Sequence, residues 1–332
     1  MKRTTIACSV AALAAGLAGG LMASPIMGKI KSARVAWDDA TSKKWPAEFV
    51  KAATESGQPM YVHRADGTLK RPLVISLHTW SGGYDQRDEL APFARANNWN
   101  YIHPHVQGPN RTADACLSAK VVTDAVDAYE WANANMNIDR DNVVIVGVSG
   151  GAYTALGLLL SDEIPVKEYF AWVPITDLSS WKKQSERRSS QYAKDVERCA
   201  IVDGRFSDEE ARTRSPMFMT LKEGKTYPKL NLYAGVNDGY SGSVPVSHSL
   251  LFFNRMAKHY GAVDTDLVTT ADMAKLTTLA SDGDPNDAIG DRTIHFKKSI
   301  PHLNLTIFEG GHEMLVPYTA EQIEKSFSNS KQ

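Results

Sequence analysis

Apolar and polar positions fall into a repeating order from about residue 71 onward. Residues 73–77, 101–105, 143–146, 169–173, 230–234 and 303–308 are short apolar runs rich in β-branched and aromatic side chains. Runs of that length and composition suit strands covered on both faces. Between them lie stretches that suit helices, at 85–97, 121–134, 152–160 and 246–260, with one more at the carboxyl terminus. Strands alternating with helices predict an α/β fold, with parallel pairing, right-handed crossovers and helices on both faces of the sheet. Upstream, residues 59–64 alternate towards an Asp66-Gly67 turn, which predicts a hairpin at an antiparallel sheet edge. Residues 28–58 are mixed and polar, with Trp37 and Trp45 as packing anchors, and read as a loosely structured lead-in.

Two stretches break the order. Residues 179–227 and 262–301 each lie between strands where an α/β sheet needs only a short connection and one helix, and the second contains an acidic loop at 281–291. Insertions at the carboxyl ends of strands form lids or pocket walls, so substrate specificity is expected there. The chain divides into residues 1–24, a lead-in with the edge hairpin at 25–70, and a catalytic domain at 71–332.

Composition narrows the class. With 332 residues and 43% hydrophobic content the chain can bury a sizeable core, as one large domain or two smaller ones. A net charge of -1, with no basic patch or charge block, argues against nucleic acid or an anionic membrane as the partner. At the amino terminus Lys2 and Arg3 precede an apolar, small-residue run at 6–21, and Ala23 and Ser24 offer a cleavage site. That is the pattern of a secretory signal peptide, so a secreted or periplasmic location is expected, without membrane attachment after cleavage. A single anchoring helix is the alternative, although the run is glycine-rich and short for a span. Cys8 lies inside this segment. Cys116 and Cys199 remain, an even number for an oxidising compartment, which predicts a disulfide between them against the alternative of two free thiols.

Chemistry enters at residues 147–151, Gly-Val-Ser-Gly-Gly, where the run 143–146 meets the helix-forming stretch 152–160. A G-x-S-x-G turn between a strand and a helix exposes its serine at the strand's carboxyl end, so Ser149 is the candidate nucleophile. A serine needs a base, a carboxylate to orient that base, and donors for the oxyanion. His312 follows run 303–308 on the glycine loop Gly310-Gly311 and is the candidate base. Asp238, in Asn237-Asp238-Gly239 after run 230–234, is the candidate acid, with Asp177 as its rival. The order Ser149, Asp238, His312 is that of α/β-hydrolases. Oxyanion donors are expected from the backbone of Gly150 and of the loop after residue 77, with Trp80 as the choice and Thr79 as the alternative. Thr79, Tyr84 and Tyr240 are candidate pocket residues. Tyr153 also flanks a catalytic turn and fits a pocket wall or the core.

The chain resembles the α/β-hydrolases, and more narrowly the catalytic domain of the prolyl oligopeptidase family and related secreted esterases. The resemblance is carried by L-H-T-W-S-G-G at 77–83, G-V-S-G-G at 147–151, R-S-P at 214–216, G-V-N-D-G at 235–239 with V-P at 244–245, and G-G-H at 310–312. It covers residues 71 to the end and implies the same nucleophile, acid and base. Thr79 stands where a glycine commonly follows the histidine. Residues 25–70 are too few for the amino-terminal β-propeller of the family's peptidases, which shifts the expected substrate from peptides to esters.

The expected function is therefore an exported carboxylesterase acting on small or polymeric esters, such as acylated polysaccharide or polyester. A secreted serine peptidase and a non-catalytic binding protein on the same scaffold are the alternatives. No cofactor or metal is expected. Residues 282–293 partly match a calcium loop, but Asp287 stands where glycine is needed and Thr293 where glutamate is needed. His103 and His105 share a strand face without a visible third ligand, and packing or pocket-lining is expected for both.

Overall fold

Four residues with no exposed surface, Val143 to Val146, mark the centre of the computed structural model, which describes residues 45–328. In chain order the strands are β1 (Val50–Ala53), β2 (Pro59–His63), β3 (Arg71–Leu77), β4 (Asn100–Pro104), β5 (Ile138–Val148), β6 (Glu168–Trp172), β7 (Ile201–Val202), β8 (Arg205–Phe206), β9 (Lys229–Gly235), β10 (Asp284–Ile289), β11 (Arg292–Ile300) and β12 (Leu303–Phe308). The helices are α1 (Ala91–Ala96), α2 (Ala119–Asn135), α3 (Gly150–Ser161), α4 (Leu178–Arg187), α5 (Tyr192–Cys199), α6 (Asp208–Thr213), α7 (Ser247–His259), α8 (Thr270–Thr277) and α9 (Val316–Ser328).

Ten strands form one sheet in the order β1-β2-β4-β3-β5-β6-β9-β12-β11-β10. The six from β4 to β12 in that order pair in parallel, and antiparallel strands finish both ends. This is the α/β-hydrolase arrangement, a mostly parallel sheet with helices. The chain steps from β3 outward to β4 and then returns to β5 on the other side of β3. Loops leaving β3 and β5 therefore emerge side by side, with Leu77 paired to Gly147, at the kind of switch point where open α/β sheets present their sites. On the other flank β9 and β12 are parallel neighbours with Gly235 paired to Phe308, so the loops carrying Asp238 and His312 also leave together.

Helix α3 is buried from Gly150 through Leu160 and packs on β5, β6 and β3. A helix that is apolar all round belongs inside, and each of its buried leucines contributes about 2 kcal/mol relative to exposure. Helix α3 thus fixes the turn before it.

Several expectations are corrected. Part of the lead-in is a strand, since β1 pairs with β2 through a turn at residues 54–58, where Thr54 Oγ1 accepts from the Gln58 amide. Strand β2 then pairs with β4, so the Asp66-Gly67 turn does not join a hairpin to β3; the edge hairpin closes before β2 instead. The helix expected at 85–97 shortens to Ala91–Ala96, because Pro92 has no N–H to donate and suits only a first turn. The acidic loop is largely the edge strand β10, turning into β11 at Gly290-Asp291. Charge is tolerated there because an edge strand faces solvent. The signal-peptide segment, Cys8 and Trp37 lie outside the described residues.

Candidate active site

Ser149 sits between β5 and α3 at φ 58 and ψ -118, a conformation side chains rarely adopt. Its amide donates to Trp172 O on β6 at 2.8 Å, which helps hold the turn. The flanking glycines are required by contact. A Cβ on Gly147 would lie 2.3 Å from the Gly151 carbonyl, and one on Gly150 would lie 2.3 Å from the Trp80 amide nitrogen.

The loops after β9 and β12 bring two more side chains to this turn. His312 Nε2 lies 2.8 Å from Ser149 Oγ, and His312 Nδ1 lies 2.7 Å from Asp238 Oδ2. Asp238 is buried, and its Oδ1 accepts from the amides of Gly239 at 2.9 Å and Val244 at 3.0 Å. A carboxylate held by two N–H groups and facing Nδ1 fixes the imidazole tautomer, with Nδ1–H donating to Asp238 and Nε2 free to accept the hydroxyl proton. Asp177 serves elsewhere. It caps α4, accepting from the Ser180 amide at 3.1 Å and the Ser180 hydroxyl at 2.6 Å.

The loop after β3 separates its two candidate donors. The Thr79 amide is taken by Gln86 Oε1 at 2.9 Å, and the Thr79 hydroxyl donates to the same oxygen at 3.0 Å. The Gly150 backbone packs against that of Trp80, and neither amide donates to a protein acceptor among the described residues. The Trp80 carbonyl is held by the Asn110 amide at 2.8 Å. Behind this loop His78 is buried, which pushes its pKa down to about 4 and leaves it neutral. Its two ring nitrogens lie 2.9 Å from Thr79 O and 2.7 Å from His105 O, and a neutral ring donates to one of the two.

A cavity of about 380 Å³ opens over Ser149 and His312, with Thr79 and Trp80 in its wall. Tyr192, Arg87, Glu89, Met314 and Val316 also line it, although the sequence did not single them out. Tyr192 comes from the first insertion, where only packing reveals the face that a helix turns inward. Two expected wall residues lie elsewhere. Tyr84 stacks on Tyr61, 5.7 Å between ring centroids, and meets His105 edge-on, which draws it towards β2. Tyr240 is 64% exposed and donates its hydroxyl to Thr277 O. Tyr153 is core, its ring tilted against Trp80 and its hydroxyl donating to Arg214 O at 2.7 Å. His103 is buried among Trp45, Tyr101 and His78, and His105 packs against Tyr84. Among the described residues no cluster of His, Cys, Asp and Glu is disposed to hold a metal. Cys116 and Cys199 are joined, tying the end of α5 to the loop before α2.

Residues 111–273 match the prolyl oligopeptidase family, a span that holds Ser149 and Asp238 and stops short of His312. No curated protein sequence matches the chain. Solved structures with the same fold include Pyrococcus horikoshii acylaminoacyl peptidase, at 13% identity over 89% of this chain and 43% of that one, with a TM-score of 0.57. A Mycobacterium tuberculosis puromycin-hydrolyzing peptidase matches at 14% identity over 83% and 38%, with a TM-score of 0.54. An esterase/lipase from an uncultured bacterium matches at 15% identity over 92% of both chains, with a TM-score of 0.55. The chain thus spans 43% and 38% of the two peptidases. The sheet is therefore that of the α/β-hydrolase fold, and residues 111–273 are similar to the prolyl oligopeptidase family.

Proposed function

We propose that the chain is an exported carboxylesterase that works through an acyl-enzyme on Ser149. The observation that carries this reading is the line of contacts from Asp238 Oδ2 through His312 to Ser149 Oγ, at 2.7 and 2.8 Å, where the backbones of Trp80 and Gly150 pack together. His312 accepts the hydroxyl proton at Nε2 as Oγ attacks the ester carbonyl carbon, and Asp238 stabilises the imidazolium. The Trp80 and Gly150 N–H groups donate to the developing oxyanion, on the order of 3 kcal/mol each. Collapse breaks the ester C–O bond, and the alcohol leaves with the proton from Nε2. Water then gives its proton to His312 and its oxygen to the acyl carbon. Ser149 Oγ departs with that proton, and the acid is released.

Ester substrates are supported by the likeness to an esterase/lipase over 92% of this chain. Acyl groups on polysaccharides or polyesters are the substrate class. Export is supported by the signal-like residues 1–24 and by the Cys116–Cys199 link, which suits an oxidising compartment. A secreted peptidase is the second reading, favoured by the family match. Initial rates on p-nitrophenyl acetate and on an aminoacyl-prolyl anilide separate the two. The ester is expected to be hydrolysed faster, and dominant anilide hydrolysis would transfer the assignment to the peptidase.

A further inference from the structure

Asp238 is held in place from outside the core of the sheet. Its Oδ1 accepts from the Val244 amide, and that N–H belongs to the same planar peptide group as the Ser243 carbonyl. The Ser243 carbonyl accepts two donors from the first insertion, Trp181 Nε1–H at 2.8 Å and Arg188 Nη2–H at 2.7 Å. We propose that Arg188 and Trp181 are positioning residues for Asp238, acting through the Ser243–Val244 peptide group. This rests on the triad proposed above.

Three features carry it. Donors on a peptide carbonyl polarise the group and strengthen its N–H as a donor, and a charged donor does so more than a neutral one. Arg188 also reaches Gly239 O through Nη1 at 3.4 Å, so one guanidinium grips both ends of the acid loop. That fork has no equivalent in lysine. Burial draws the Arg188 pKa down, and the nearby Asp238 carboxylate draws it up. The gripped loop also leaves no slack. A Cβ on Gly242 would lie 2.2 Å from Asp238 Oδ1 and 2.7 Å from His312 Cβ, so a shift of the loop moves acid and base together.

Trp181 adds a second connection. It is buried, meets Trp80 edge-on with 4.6 Å between centroids, and stacks on Tyr192 at 5.2 Å. One indole therefore touches the acid loop, the residue carrying an oxyanion N–H and a pocket wall.

The test compares wild type with Arg188→Met, Arg188→Lys and Trp181→Phe. Three readouts are used: the rate of Ser149 labelling by a fluorophosphonate, kcat and KM on p-nitrophenyl acetate, and the downfield proton resonance of His312 Nδ1–H. Arg188→Met is expected to label on the order of tenfold more slowly through misplacement of the acid, with kcat falling and KM held. Its downfield resonance should move. Arg188→Lys should recover part of the rate, and Trp181→Phe, which keeps a ring but loses the donor, should shift both readouts in the same direction. Wild-type labelling rates and an unmoved resonance in Arg188→Met and Trp181→Phe would overturn the proposal. If Arg188→Met does not fold, Trp181→Phe decides on the same readouts. A wild-type chain that does not label would instead overturn the triad itself.

Discussion

Residues 179–227 and residues 262–301 both interrupt the strand-helix order, yet only the first reaches the cavity over Ser149. It leaves the sheet after β6, beside the nucleophile's strand, and lays α4 and α5 against the site. Tyr192 enters the pocket wall, Trp181 fills the space beside Trp80, and Cys199 is bonded to Cys116. The second insertion leaves after α7 and returns as β10 and β11, which lengthen the sheet at its far edge. Its link to the site is indirect. Arg292 reaches Glu313 Oε2 at 3.3 Å, and Glu313 Oε1 accepts from the Gly311 amide next to His312. His295 meets Glu309, which also takes the Asn237 side chain beside Asp238. Where an insertion leaves the sheet, rather than how long it is, decides whether it builds the site or props it from behind.

The anchors differ in kind as well as place. A covalent link and a buried imidazole secure the first insertion, whereas partly exposed ion pairs secure the second. The largest expected effect follows from the covalent link. Replacing both Cys116 and Cys199 with serine should lower the unfolding free energy by about 4.5 kcal/mol, the loop-closure value for a separation of 83 residues. Denaturant titration under non-reducing conditions measures it, and an unchanged midpoint would mean that packing alone holds the insertion.

Next comes His248, on α7 but bonded to the first insertion. Its Nδ1 accepts from the Thr176 amide at 3.1 Å, which leaves Nε2–H to donate to Gln184 Oε1 on α4 at 3.0 Å. Burial lowers its pKa from 6.5 to about 4, so between those values the unfolded chain binds the proton and the folded one does not. This contribution is complete above pH 6.5 and is lost as pH falls towards 4, by about 3 kcal/mol. His248→Asn should therefore show a flatter fall of stability with acidification than wild type, and equal slopes would contradict the assignment.

The smallest effect belongs to the second insertion. Arg292 and Glu313 are each 37% exposed, and Arg292→Ala should cost about 1 kcal/mol or less, with kcat close to wild type. A loss of turnover there as large as that expected for Arg188→Met would erase the distinction between the two insertions.

Legibility in the sequence followed the same division. Ser149, Asp238 and His312 can be read because each lies just past the carboxyl end of an apolar strand, where a short glycine-bearing turn has few conformations open to it. The six parallel strands can be read because burial on both faces makes them uniformly apolar. Tyr192 cannot, since an amphipathic helix in an insertion shows which side is apolar but not what it meets. Strand β1 has only four residues, too few for periodicity, and β10 carries the polar composition of a loop because it sits at an edge. Gln86 is hidden for another reason. Its role towards Thr79 depends on a seven-residue contact across an irregular loop, which no periodic pattern encodes.

Whether Ser149 is the nucleophile is measured most directly by fluorophosphonate labelling with peptide mapping, on wild type and on Asp238→Asn. Wild type should carry a single adduct on Ser149. Asp238→Asn, folded but with the imidazole no longer held in its tautomer, should react slower by on the order of 10⁴. An adduct on another residue, or labelling of Asp238→Asn at the wild-type rate, would contradict the triad.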